Sequence, residues 1–134
     1  MAKLSAKEYK ARCKSFLKRL EGDSDVQQLD GGVFYRVLNS GQGAVHPDSG
    51  SIVTVHYRGS LVDGREFDST YGSYPESFRV REVIEGWQVA LCAMTIGDKW
   101  EVYIPKSLGY GDKKSGVIPA GSLLIFEVEL LGIS

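Results

Sequence analysis

Few of the 134 residues combine a reactive side chain with the neighbours that ordinary catalysis needs. The two histidines stand apart: His46 lies between a loop valine and a proline, and His56 faces outward on an expected strand. With Cys13 and Cys92 the only thiols, neither a disulfide framework nor a zinc site can be built, and both read as buried or half-buried free cysteines. No His/Cys/carboxylate cluster has metal-ligand spacing. A Ser/His/Asp triad can be drawn on paper for almost any chain with two histidines, and nothing here resembles a nucleophile elbow. Gly41-Gln42-Gly43 is too short for a phosphate loop, and no lysine-serine pair directly follows it. Basic and aromatic residues do not interleave on one sheet face as RNA binding requires. What stands out is a set of aromatics, Tyr57, Phe67, Trp87, Tyr110 and Phe126, on five separate expected elements, with Asp68 directly after Phe67. Singly, each aromatic reads as core and Asp68 as a turn or cap residue. Gathered around one helix N-terminus they form a less ordinary combination.

The elements that must position these residues follow from hydrophobic period. Ala2, Ala6, Tyr9, Cys13, Phe16 and Leu20 recur at spacings of four and three, an apolar seam on a helix, and Gly22-Asp23-Ser24-Asp25 ends it. From residue 32 the period becomes two: Val33, Tyr35 and Val37 alternate with Phe34, Arg36 and Leu38. After a loop over 39–50, Val53, Val55 and Tyr57 share the core face of a half-buried strand. Asp63-Gly64 signals a hairpin into Glu66-Phe67, and a short strand is expected at Ser77–Val80. The body has one helical pattern, Trp87, Ala90, Leu91 and Met94, with Gly97 as its stop. Two strands close the chain, 99–105 and 123–131, the second turning Leu124, Phe126, Val128 and Leu130 inward. Strands outnumber helices without βαβ alternation, so the expected class is α+β: a twisted antiparallel sheet with one short helix on its apolar face, preceded by an N-terminal helix.

Composition agrees with one globular domain. Apolar residues are 43% and charged residues 25%, which excludes a disordered tail protein. The net charge of −1 hides an asymmetry: residues 1–20 carry seven basic side chains against Glu8 alone, and the rest carry nine basic and sixteen acidic. The expected organisation is a basic amphipathic helix over 1–22, a connector over 23–31 and the domain over 32–134. Three readings of the helix compete: its seam docks on the parent domain, it pairs with another chain as a weak homodimer, or its basic face meets an acidic surface. No apolar run approaches the ~18 residues of a membrane span, and the charged opening residues do not make a signal-peptide apolar region, so a cytoplasmic location is expected.

The run Val55-His56-Tyr57-Arg58-Gly59-Ser60-Leu61, then Asp63-Gly64 and Phe67-Asp68-Ser69, resembles the FKBP-type peptidyl-prolyl isomerases. Agreement continues in order and spacing through Pro75–Phe78, Val83-Ile84-Glu85-Gly86-Trp87, Met94 with Gly97, Leu108–Gly111, Gly116-Val117-Ile118-Pro119 and Leu124–Leu130. The resemblance spans residues 32–134. It implies an FKBP-like sheet wrapped around the helix at 85–95, isomerase activity on proline-containing polypeptides, inhibition by macrolides such as rapamycin, and no cofactor, metal or nucleic acid. Trp87 becomes the floor of a pocket walled by Tyr57, Phe67, Val83 and Phe126, with Phe78 contributing. The Ile84 backbone N–H and the Tyr110 hydroxyl meet substrate carbonyls, Val117 and Ile118 close the rim, and Asp68 stands beside the pocket. Asp68, Tyr110 and Phe126 are the implied catalytic residues.

That chemistry fits a chain without conventional catalytic groups. Amide rotation faces a barrier of ~18–20 kcal/mol because twisting destroys resonance, yet no bond to another atom forms or breaks. An apolar cup that strips water from the X-Pro bond favours the less polar twisted form, and fixed hydrogen bonds hold its flanks. Two departures from the family pattern stand out. Where relatives carry an arginine that pairs with the aspartate, this chain has Tyr71-Gly72-Ser73-Tyr74, leaving Arg65, Arg79, Arg81 or the Tyr57 hydroxyl as partners for Asp68. The loop after Tyr110 is slightly short and carries Lys113 and Lys114 in place of a histidine found in some relatives. A competing reading is therefore a proline-segment-binding or chaperone module with weak or no isomerase activity.

Overall fold

The computed structural model describes residues 4–134. Helix α1 (Ala6–Glu21) starts where Ser5 accepts the Glu8 amide and the Glu8 carboxylate accepts the Ser5 amide, a reciprocal cap that satisfies two otherwise orphaned donors. Strands β1 (Gln27–Gln28), β2 (Phe34–Asn39), β3 (Ile52–Ser60), β4 (Glu66–Ser69) and β5 (Glu76–Arg79) precede helix α2 (Glu85–Ala93), and β6 (Lys99–Ile104) and β7 (Leu124–Ile133) follow it. All seven strands join one antiparallel sheet in the order β1-β2-β6-β7-β3-β4, with β5 sharing the outer edge of β3. The α+β class with a preceding helix is thus as the periodicity predicts.

Register decides which residues meet on the inner face. β3 lies against β7 with Tyr57 opposite Val128 and Gly59 opposite Phe126, so the Phe126 ring faces a residue without a side chain. Along the other edge of β3, β5 covers Ile52–Val55 and β4 covers Arg58–Ser60. Helix α2 packs on this face, its Trp87, Ala90 and Leu91 buried against Val55, Val102 and Leu130. Gly86 permits the close approach, because a Cβ there would stand 2.4 Å from Ile104 Cγ2.

The opposite face is not uniformly polar. Phe34, Tyr103 and Leu123 turn outward and are covered by Tyr9, Cys13 and Leu20 of α1, making a second core. Of the three readings of the helical seam, docking on the parent domain is the one the structure shows. Phe16 is half-buried, Ala6 is exposed, and Ala2 lies outside the described residues. Where α1 no longer covers the sheet the alternation of β2 lapses, leaving Val37 and Leu38 both exposed. No helix among the described residues is long and apolar enough to cross a membrane.

Three local expectations are corrected. Helix α2 stops at Ala93 with Met94 as its cap; Gly97, at φ 95°, belongs to the next turn, where its N–H reaches the Leu130 carbonyl. The Asp98 carboxylate holds that turn by accepting the Thr95 and Gly41 amides at 2.8 and 2.7 Å, capacity that a lone glycine lacks. Cys92 is exposed on α2, because it falls opposite the Leu91 and Trp87 face. Residues 27–28 form a strand at the sheet edge, too short for any period to reveal.

Candidate functional site

A cavity of about 240 Å³ opens where the N-terminus of α2 meets the concave face of the sheet. It is lined by Tyr57, Phe67, Asp68, Phe78, Glu82, Val83, Ile84, Trp87, Tyr110 and Phe126. Trp87 lies at the centre, with Tyr57, Phe78 and Phe126 meeting it edge-on at centroid distances of 5.0, 5.8 and 5.2 Å. Phe67 continues the set by meeting Phe126 at 5.5 Å and 85°. Edge-to-face contacts place the positive rim of one ring on the negative face of the next, so the walls hold one another at fixed angles. Tyr57, Trp87 and Phe126 are each at most 6% exposed, so the core reading and the pocket reading of these aromatics are both met: the cup is cut into the core.

The polar groups are few and specific. The Tyr57 hydroxyl donates to Asp68 Oδ2 at 2.6 Å, and Asp68 Oδ1 accepts the Ser69 amide at 3.0 Å. Burial first, then the bond to the Asp68 carboxylate, push the Tyr57 hydroxyl well above the ordinary phenol range, so it stays a donor. Of the four candidates it is the Tyr57 hydroxyl that Asp68 takes: Arg65 is engaged with Asp63, Arg79 with Glu82, and Arg81 makes no described bond to Asp68. At the head of α2 the Ile84 carbonyl accepts the Trp87 and Gln88 amides, whereas the Ile84 N–H takes no described partner. The Tyr110 hydroxyl, on a residue 40% exposed at the rim, is likewise without one. The mouth thus offers two free donors above an apolar floor, with one carboxylate to the side.

Val117 and Ile118, expected at the rim, are not among the residues that line the cavity. Ile118 is 6% exposed and packs in the main core, and Val117 is 64% exposed. They sit on a tight loop in which Ser115 and Ile118 exchange backbone bonds at 3.0 and 2.8 Å, with the Ile118 side chain buried. Sequence reasoning missed three contributors. Glu82 joins the wall directly before Val83. Gln88 Nε2 donates to the Val83 carbonyl at 2.8 Å, fixing the backbone beside the Ile84 donor; its signal was a polar residue one helical turn after Ile84. Gly59 leaves room for the rings, since a Cβ there would stand 2.6 Å from Phe67 and 2.8 Å from Phe126. Its place on the inner face of β3, two residues after Tyr57, could have pointed to this role.

The fold and the site define a class of protein, and the sequence carries its signature: residues 43–131 match the model of the FKBP-type peptidyl-prolyl cis-trans isomerase family. The chain belongs to that family. It is 46% identical over 110 residues to the FKBP-type 22 kDa peptidyl-prolyl cis-trans isomerase of Escherichia coli, covering 81% of this chain and 53% of that protein. It is 40% identical over 124 residues to the peptidyl-prolyl cis-trans isomerase Mip of Coxiella burnetii, covering 91% of this chain and 54% of Mip. The chain therefore spans about half the length of these relatives. Among solved structures, FkpA from Escherichia coli superposes with a TM-score of 0.88 at 36% identity, over 96% of this chain and 61% of that one. A peptidyl-prolyl isomerase from Pseudomonas syringae superposes at 0.87 with 32% identity, over all of this chain and 99% of that one.

Proposed function

We propose that the chain is a peptidyl-prolyl cis-trans isomerase that accelerates rotation of X-Pro bonds in peptides and folding proteins. The observation that carries this reading is the ring-walled cavity of about 240 Å³ with the free Ile84 N–H and Tyr110 O–H at its mouth. An X-Pro bond isomerises uncatalysed over ~10–100 s, so lowering its barrier by a few kcal/mol is enough to matter in folding. The proline ring enters the cup over Trp87, and the walls exclude water from the amide. A planar amide is charge-separated and well hydrated; the twisted amide is less so, and loses less on transfer to this surface. Ile84 and Tyr110 donate to carbonyls flanking the bond and hold the chain on either side of the rotating unit. Asp68 keeps Tyr57 oriented, so the wall next to the carboxylate cannot rotate away. Apolar residues before proline are preferred, because Phe67 and Phe126 continue the apolar surface beyond Trp87. The same cup takes macrolide inhibitors such as rapamycin.

The test is isomerisation of a short X-Pro peptide followed without added protease, for the chain and for Phe126→Ala. Turnover above the uncatalysed rate that falls at least tenfold in the variant supports the reading. A chain that binds the peptide but leaves its exchange at the uncatalysed rate is a binding module instead.

A further inference from the structure

Tyr110 stands on the loop between β6 and β7, and one end of that loop is held by the N-terminal helix. Ser122, 3% exposed just before β7, donates from Oγ to the Pro119 carbonyl at 2.7 Å. Its single proton is used there, so its 2.8 Å contact with the Tyr9 hydroxyl has Tyr9 as donor. One turn further along α1, Cys13 Sγ accepts the Leu123 amide at 3.5 Å. The stem of Lys10 lies along Gly121, whose N–H reaches the Gly111 carbonyl at 2.9 Å, directly after Tyr110. A continuous set of contacts therefore runs from the buried Tyr9 hydroxyl through the 119–122 turn to the backbone that carries Tyr110.

We propose that Tyr9 is a positioning residue for the site: through Ser122 it fixes the loop that sets the Tyr110 hydroxyl over the cavity. This rests on the isomerase reading above. Two features make the role specific. Tyr9 is 4% exposed and on the sheet face opposite the cavity, so it touches no substrate. Its hydroxyl is not needed to satisfy Ser122, which keeps Pro119 as an acceptor; what the bond supplies is a fixed rotamer for Ser122 and a fixed place for the turn. Helix α1 thus does more than cover Phe34 and Tyr103.

The test is a double-mutant cycle. Tyr9→Phe keeps the ring and removes one hydrogen bond, so kcat/KM is expected to fall by roughly 2- to 10-fold, mostly in kcat. In a Tyr110→Phe background the same substitution is expected to change kcat/KM by less than about 1.5-fold, because the group it positions is gone. Ser122→Ala reproduces the result from the other side if Tyr9→Phe folds poorly. An equal loss in both backgrounds makes Tyr9 a general structural residue and overturns the proposal, as does no loss in the wild-type background. Amide exchange gives an answer independent of activity. Tyr9→Phe is expected to speed exchange at Gly111 and Gly121 while leaving β3 protected, and unchanged exchange at both glycines overturns the proposal. If the unmodified chain shows no turnover, the isomerase reading fails, and exchange alone decides whether Tyr9 holds the loop.

Discussion

An alanine at position 59 would place its Cβ 2.6 Å from Phe67 Cζ and 2.8 Å from Phe126 Cε1. Carbon atoms pack at about 3.5–4.0 Å, so each ring must retreat by roughly 1 Å. The backbone at Gly59 is not in the left-handed region, so the whole cost falls on those contacts. Phe67 is half-buried and can swing toward solvent; Phe126, 4% exposed and fixed against Trp87, has nowhere to go. Overpacking of this kind costs about 1–3 kcal/mol, which lowers the melting temperature of a domain this size by roughly 3–12 °C. The effect on function should be larger than the effect on stability. A shift of about 1 Å in a binding wall can cost up to ~10²-fold, and two walls move here, so a loss of roughly 10- to 100-fold in kcat/KM is expected. Peptide isomerisation, together with a thermal melt, checks both quantities at once. A Gly59→Ala variant with unchanged turnover refutes the reasoning, since the rings would then not need their present positions.

Two further outcomes follow from the polar groups. Tyr57→Phe removes the 2.6 Å bond to Asp68 but leaves that exposed carboxylate its Ser69 amide and water; stability should fall by only about 0.5–1.5 kcal/mol, while turnover falls several-fold as Asp68 and the wall lose their link. A urea titration and the peptide assay separate the two, and equal turnover would show that the pair is dispensable. Burial raises the Tyr9 and Tyr103 hydroxyls from 10.0 to about 12, and raises Tyr57 as well. These groups hold their protons more tightly folded than unfolded, so their stabilising contribution is full below about pH 10 and is lost as pH rises through the folded values. The urea midpoint should therefore decline between about pH 10 and 12, less steeply in Tyr9→Phe, and identical slopes would count against the burial argument.

Much of the site was legible because its residues obey simple periods. Tyr57 and Phe126 fall on the inward positions of alternating strands, and Trp87 on the apolar stripe of the one helical pattern in the body. Such positions fix a face, and on a folded sheet a shared face means proximity. Tyr110 and Phe67 stood out as aromatics on separate elements, but their roles needed the family resemblance, because loops and four-residue strands carry too few residues for a period to show. The rim position of Ile118 likewise comes from the resemblance alone, since the 115–118 turn that buries its side chain is too short for a period to show.

What the sequence by itself determined was the class of fold, the elements and the faces on which the aromatics lie, since these depend on neighbours within a few residues. Only the tertiary structure decided who meets whom. That Gly59 is opposite Phe126, that Asp68 takes Tyr57 instead of an arginine, and that α1 closes over Phe34 and Tyr103 all depend on register and packing between distant segments. The physical reason is that hydrophobic burial is non-directional: it says which side chains leave water, whereas sheet register, close packing and hydrogen-bond geometry select the partners they find. The free donors of Ile84 and Tyr110 are products of that second selection, left without partners where the chain's own elements do not reach them.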